Sequence, residues 1–383
     1  MAQALPQPRS EVVNGDGRGS FALIGHQESW GQIARIVTAL RDPKRAPLSE
    51  EEIRQVVPWI PPRVVARFRV ASVLGGSVPG VYVETFITPD ELRARAFRRA
   101  LEKVQDAMRC AAREGARVAS LGGFTSIVLE GRTEVPEGCE DLALTTGNTL
   151  TVALIGQGVV DAARRLGVTL SDASLLVVGS TGDVGSGCAA WLGPKVRRLL
   201  LAARNPERLR RQEESFRRAG LEARASSDAG VLLPEADIVV CAASMSEPLL
   251  DSGRFRPGAL VCDAGYPKNV RAPASGSGGP RIFWGGMGRL AAGWEADSGV
   301  LDAFYGFPVP YVGHGCLLEA IVLALARRYE PFSQGRGRIT PERVDEIWAL
   351  AREHGVGVAP LFGPDGLWPE DDGTAAVGEG GVV

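Results

Sequence analysis

The sequence predicts an α/β fold. A doubly wound parallel sheet forms its centre, a smaller α/β unit precedes it, and a helical segment follows. Three observations carry this expectation. Residues 175–187 read LLVVGSTGDVGSG, an apolar run of strand length that breaks into a glycine-rich turn and continues into the apolar stretch 188–192. Four further apolar runs of strand length follow at 199–203, 238–243, 260–263 and 282–284, and helical patterns separate the earlier ones. Strands alternating with helices specify a parallel sheet covered on both faces.

The glycines of the turn stand at 179, 182 and 185. Glycine lets a strand-to-helix turn bend tightly and lets the backbone approach a pyrophosphate, while the next helix offers its N–H groups and positive end to the phosphates. The whole run Gly179, Ser180, Thr181, Gly182, Asp183, Val184, Gly185 is therefore read as a dinucleotide site of Rossmann type. The second strand ends at Arg204-Asn205-Pro206. In this architecture that end faces the adenosine ribose, where an arginine suits the 2′-phosphate of NADP and an acid would suit NAD. The other reading of Arg204 is a solvated surface side chain. Asn205 before Pro206 also reads as a helix N-cap and first helical residue. The strand ends Ala243-Ser244-Met245 and Ala264–Asn269 are expected to line the same cleft, because ligands bind at the carboxyl ends of such strands.

Composition excludes several classes. The 383 residues allow two domains, and a formal net charge of −2 lacks the basic excess of a nucleic-acid binder. No run approaches the roughly 20 apolar residues of a membrane span. Six cysteines without CxxC spacing and only three histidines make a metal site improbable, and scattered thiols fit a reducing cytoplasm.

In chain order, residues 1–19 are polar and rich in Gly and Pro and are expected to be disordered. A strand at 21–24, a helix at 30–40 and a short helix from Ser49 follow. Residues 67–73 and 81–86 flank Gly75-Gly76 as a hairpin or loop. Residues 90–115 carry Leu92, Phe97, Leu101, Val104, Met108 and Ala111 on one helical stripe. Strands at 118–121 and 142–144 run into Gly122-Gly123-Phe124-Thr125-Ser126 and Thr145-Thr146-Gly147-Asn148-Thr149. A helix at 149–166 leads into the nucleotide-binding unit. The expected division is a disordered 1–19, an N-terminal α/β domain over 20–148, the dinucleotide domain over 149–288, a helical region over 289–362 with helices at 316–328 and 340–354, and a disordered tail over 363–383.

The best chemical candidate is Cys316 in Gly313-His314-Gly315-Cys316-Leu317-Leu318-Glu319-Ala320. Apolar periodicity begins just after it, which places the sulfur in a first helical turn, where the dipole and free N–H groups favour a thiolate. Beside a nicotinamide, a thiolate attacks a thioester or aldehyde carbonyl, and hydride is exchanged with the adduct. The competing reading is a small apolar residue buried in a helix. His314 is a candidate base. His26 and His354 are read as solvated or capping, Glu84 as solvent-facing, and Cys188, Cys241 and Cys262 as core.

The chain resembles the soluble long-chain fatty acyl-[acyl-carrier-protein] reductases, the aldehyde-forming enzymes of bacterial alkane biosynthesis. The matches include Leu23-Ile24-Gly25-His26, Tyr82-Val83-Glu84, Leu121–Ser126, Thr145–Thr149, Gly179–Ser186, Ala203-Arg204-Asn205, Ala243-Ser244-Met245, Gly265–Asn269, Gly335-Arg336 and Ile339-Thr340. The resemblance implies reduction of acyl-ACP or acyl-CoA to a fatty aldehyde with NADPH, a cysteine nucleophile that falls on Cys316, acyl carrier protein as a partner, and an oxygenase that consumes the aldehyde. On this reading Gly123, Phe124, Ser126, Thr146 and Asn148 shape the substrate pocket or donate to the oxyanion, with tight-turn glycines as the plain alternative. Two rival functions are a shikimate dehydrogenase-like ketone reductase and a non-catalytic nucleotide-binding protein. The first normally relies on a Lys/Asp pair in the first domain, and the loops of residues 60–130, where arginine dominates, show no matching lysine.

Overall fold

The computed structural model describes residues 20–27, 29–41, 46, 48–88, 97–129, 135–244, 250–265, 267–271, 278–297, 306–334 and 338–369. The expectations for residues 1–19, Leu92, Met245 and Gly335-Arg336 lie outside the described residues.

The first sheet begins with β1 (Ser20–Gly25), β2 (Arg63–Ala71), β3 (Ser77–Glu84), β4 (Ala116–Leu121) and β5 (Ala143–Thr145). β1 lies at its centre, parallel to β3 and β4, and β5 extends it in parallel beside β4. β2 turns back antiparallel on β3 through Gly75 and Gly76, both at positive φ. Helices α1 (Trp30–Leu40), α2 (Glu50–Val56), α3 (Phe97–Arg113) and α4 (Phe124–Val128) decorate it. Ser49 and Glu52 form a reciprocal capping box at the start of α2. α3 lays Ala100, Leu101, Val104, Ala107, Met108 and Ala111 on the sheet, the helical stripe visible in the sequence.

Helix α5 (Asn148–Arg165) carries the chain into the second sheet, β6 (Ser174–Val178), β7 (Arg198–Ala202), β8 (Ala223–Ser226), β9 (Ile238–Cys241), β10 (Leu260–Asp263) and β11 (Arg281–Trp284). Its spatial order is β8-β7-β6-β9-β10-β11, every neighbouring pair is parallel, and α6 (Asp183–Leu192) and α7 (Pro206–Arg218) connect the first strands. Numbered within the sheet this is 3-2-1-4-5-6, the doubly wound order. Burial on both faces explains the unbroken apolar runs: Leu175 and Val177 of β6 enter one core, Leu176 and Val178 another.

Beyond β11 the chain departs from the expected helical region. β12 (Met287–Leu290) pairs with β14 (Val312–His314) and β15 (Val356–Val358), and β13 (Trp294–Ala296) returns to the edge of the first sheet beside β2. Helices α8 (Gly315–Leu325) and α9 (Pro341–Glu353) follow as expected, with Thr340 capping α9. Of the tail expected to be disordered over 363–383, residues 370–383 lie outside the described residues, whereas 363–369 are described and take part in a small hairpin, β16 (Phe362–Gly363) with β17 (Gly366–Leu367). Just after it, Trp368 stacks edge-on against Phe283 at 5.9 Å.

One core spans both sheets, because α5 and α8 fill the space between them with Leu150, Leu154, Leu318 and Ile321. Each such side chain contributes about 1.5–3 kcal/mol when fully buried. α8 packs against α5, β4 and β1, so its start is fixed relative to both sheets.

Candidate active site

The carboxyl ends of the parallel strands of both sheets open into one cleft of about 2310 Å³. The loops after β1, β4 and β5 line it from one side, and those after β6, β7, β9, β10 and β11 from the other.

On the second side, Gly179 has φ +82°, and a Cβ there would come within 2.8 Å of the Ala242 and Ala243 backbones. A Cβ on Gly185 would overlap the Gly179 carbonyl, and Gly182 starts α6 without a side chain to cap its first turn. This cradle fits a pyrophosphate held on a helix start. Gly179, Thr181, Gly182, Asp183 and Val184 line the cleft, whereas Ser180 is fully buried behind the turn. Asn148 Nδ2 donates to Asp183 Oδ2 at 2.8 Å and so ties the two sides together. Arg204, Asn205 and Ser244 line the cleft, as does Arg208, one turn into α7. Asn205 caps α7 by accepting the Arg208 N–H at 3.0 Å.

Hydrogen bonds tie the described residues of the loop after β10 together. Buried Asp263 accepts the N–H groups of Gly265, Asn269 and Val270 at 2.8–2.9 Å. Asn269 exchanges two hydrogen bonds with Ala243, at 2.9 and 3.0 Å. Lys268 Nζ donates to the Asp263 carbonyl at 3.2 Å and lies 4.9 Å from the Trp284 ring. The sequence showed this loop as a strand end and did not single out Lys268.

Cys316 is the second residue of α8, as expected. Its sulfur faces the backbone N–H groups of Gly123, Leu317 and Cys316 itself. The Ser120 hydroxyl donates to the Cys316 carbonyl, and the backbones of Gly147 and Gly315 press the turn against neighbours that leave no room for a Cβ. The expected thiolate is not what the enclosure favours. Burial outweighs the three amides and, with the Glu319 carboxylate adding to it, pushes the thiol up to about 11.

His314, the N-cap residue of α8, lines the cleft beside Cys316. Burial, with the Lys268 and His26 charges adding to it, lowers its pKa to about 3. His26, expected to be solvated or capping, instead lies in the cleft wall against Gly123, and burial lowers it to about 4. His26 stands in the Leu23–His26 run noted in the sequence, but its place in the cleft wall follows only from the pairing of β1 with β4. Glu84, expected to face solvent, is fully buried and accepts Gln27 Nε2 and the Phe86 N–H at 2.5 and 2.7 Å. Gly123, Ser126, Thr146 and Asn148 line the cleft, and Phe124 begins α4.

A second, apolar cavity of about 390 Å³ lies behind the start of α8, among Leu23, Phe68, Trp294, Phe307, Leu318 and Ile321. Tyr82 and Leu317 line both cavities.

Fold and cleft together define the class: a protein of doubly wound α/β type whose glycine-rich turn forms a cradle for a dinucleotide. Comparison with known proteins narrows it. The family model described as shikimate / quinate 5-dehydrogenase matches residues 161–282, which is the nucleotide-binding part. A long-chain acyl-[acyl-carrier-protein] reductase of Synechococcus elongatus is 33% identical over 346 residues, covering 88% of this chain and 97% of the relative. The aminotransferase PigE of a Serratia strain is 27% identical over 76% of this chain and 34% of its own length. Among solved structures, the nucleotide-binding domain of a Thermoplasma volcanium glutamyl-tRNA reductase overlaps with a TM-score of 0.26 at 25% identity, over 33% of this chain and 84% of that domain. The chain belongs to the long-chain acyl-[acyl-carrier-protein] reductase family.

Proposed function

We propose that the protein reduces long-chain fatty acyl thioesters, carried on acyl carrier protein or CoA, to fatty aldehydes with NADPH, through an acyl thioester on Cys316. The observation that carries this reading is the position of the Cys316 sulfur. It stands at a helix start, faces three backbone amides and lines the dinucleotide cleft, next to Leu317, which lines the apolar chamber as well.

Gly179, Thr181, Gly182 and the first turn of α6 would hold the pyrophosphate, and Arg204 would meet the 2′-phosphate. Bound NADPH supplies the hydride. The chain's own residues do the rest. Cys316 Sγ bonds to the acyl carbon, the carrier's C–S bond breaks, and the carrier thiol leaves with the proton that the cysteine gives up. Because burial keeps Cys316 protonated at rest, that proton needs an acceptor as the bond forms. His314 and His26 line the same cleft wall, but burial makes their imidazoles weak proton acceptors, so the departing carrier sulfur takes the proton as its C–S bond breaks. The alkyl chain passes Leu317 and Tyr82 into the apolar chamber, lined by Leu23, Phe68, Phe307 and Ile321. Donors that face the sulfur also face oxygen charge developing on the attached carbon, so the amide of Gly123 serves as an oxyanion donor. Reduction leaves a hemithioacetal on Cys316, and its collapse returns the thiol and releases aldehyde.

A cytoplasmic setting suits the six free cysteines. Among the described residues no helix is long and apolar enough to cross a membrane.

A panel of acyl-ACP and acyl-CoA donors of graded length, assayed with NADPH and NADH and read as aldehyde by mass spectrometry, tests the reading. Aldehyde from long-chain donors with NADPH is expected. Absence of aldehyde from every acyl thioester overturns it.

A further inference from the structure

Glu319 lies within α8, three residues after Cys316, and its side chain is fully buried. A buried carboxylate is tolerated only where donors surround it. Here they come from two other segments. The Thr145 hydroxyl, at the end of β5, donates to Oε1. The Leu150 N–H, in the first turn of α5, donates to Oε2 at 2.9 Å, and the Ser333 hydroxyl reaches the same oxygen at 2.9 Å.

The start of α5 explains the arrangement. Its N-cap is Gly147, held at φ +68° and bearing no side chain to cap the helix. The orphan N–H groups of that turn are satisfied from outside, Thr149 by Ser333 Oγ at 3.1 Å and Leu150 by Glu319. The positive end of the α5 dipole also favours the negative charge placed there. Ser333 closes the network by donating its N–H to Thr145 Oγ1 and accepting the Thr146 N–H, both at 3.0 Å. One carboxylate therefore caps a helix to which it does not belong, and it does so one turn from the candidate nucleophile.

We propose that Glu319 is a positioning residue: by capping α5 from across the interface it locks the first turn of α8 against Gly147 and so sets the place of the Cys316 sulfur. The proposal rests on Cys316 as the nucleophile. A neutral amide acceptor would cap α5 as well, whereas a carboxylate also puts negative charge beside the thiol, although burial raises its own pKa. That charge opposes thiolate formation. The charged groups facing the pair are few. Arg343 of α9 acts on Glu319, and the other partners of Glu319 and of the sulfur are hydroxyls and backbone amides.

The test compares Glu319→Gln and Glu319→Ala with the parent protein. The first readout is the pH profile of Cys316 alkylation by iodoacetamide, followed on the Cys316 peptide by mass. The second is the rate of acyl-enzyme formation from a long-chain acyl-CoA. Glu319→Gln keeps the shape and removes the charge, so its alkylation midpoint moves to lower pH by roughly one unit. Glu319→Ala leaves α5 uncapped and slows acyl-enzyme formation by about tenfold or more. An unchanged alkylation profile in Glu319→Gln, or parental acylation in Glu319→Ala, overturns the proposal. If Glu319→Ala fails to fold, the Gln profile decides alone. If the parent forms no acyl-enzyme, the nucleophile reading fails, and the alkylation arm still judges the effect of Glu319 on the thiol.

Discussion

Gly147 and Cys316 meet backbone to backbone: a Cβ on Gly147 would overlap the Cα, carbonyl carbon and oxygen of Cys316. Gly147 also stands at φ +68°, where an added side chain costs about 1–2 kcal/mol. Gly147→Ala is therefore expected to displace the start of α8 and to lower turnover by roughly a hundredfold. Its NADPH affinity, read by cofactor fluorescence, stays near that of the parent, because the cradle at Gly179 is untouched. Parental turnover in this variant would show that the contact does not position the sulfur.

Arg204 tests the choice of cofactor. It lines the cleft at the end of β7, where the adenosine ribose of a bound dinucleotide would lie. Loss of a hydrogen bond to a charged group costs about 1.5–3 kcal/mol, or roughly tenfold to a hundredfold in affinity. Arg204→Ala should weaken NADPH by that factor and leave NADH nearly unchanged. Titrating both cofactors against both proteins measures it, and equal weakening of the two would assign Arg204 no part in the preference.

Glu84 makes stability depend on pH. Burial raises its carboxyl from 4.5 to about 7. Between those values the folded chain holds a proton that the unfolded chain has lost. The contribution of Glu84 is thus full below about 4.5 and falls as pH rises through about 7, at about 1.4 kcal/mol per pH unit inside that window. Glu84→Gln should flatten this part of the profile of melting temperature against pH. An identical slope in both proteins would mean that Glu84 is ionised in the fold.

Much of this arrangement was legible in the sequence because it is local. The turn at residues 175–187, the Asn205 cap and the helix that begins at Cys316 each follow from a few adjacent residues, and the structure has all three. What escaped is short or long-range. β8 reads Ala-Arg-Ala-Ser, too brief and too polar to show a period, and the strands β12 to β15 span only three or four residues each. The tail was rich in acid and glycine, yet Trp368 anchors the hairpin before it onto Phe283 and Arg281.

The site divided in the same way. Cys316 was visible from its helix start, but its resting state was not. A helix dipole favours a thiolate, whereas desolvation opposes it, and only the packed structure shows that desolvation is the larger. His26 reaches Gly123 through the pairing of β1 with β4, and Glu319, though close to Cys316 in the sequence, meets α5 only through helix packing; no window of sequence displays either contact.

The central claim is that Cys316 carries the acyl group. Intact-mass spectrometry of the protein mixed with a long-chain acyl-CoA or acyl-ACP, without NADPH, tests it most directly. The account predicts one added acyl mass, mapped to the Cys316 peptide and discharged as aldehyde when NADPH is added, with neither event in Cys316→Ala. Aldehyde production by Cys316→Ala at the parental rate would contradict it.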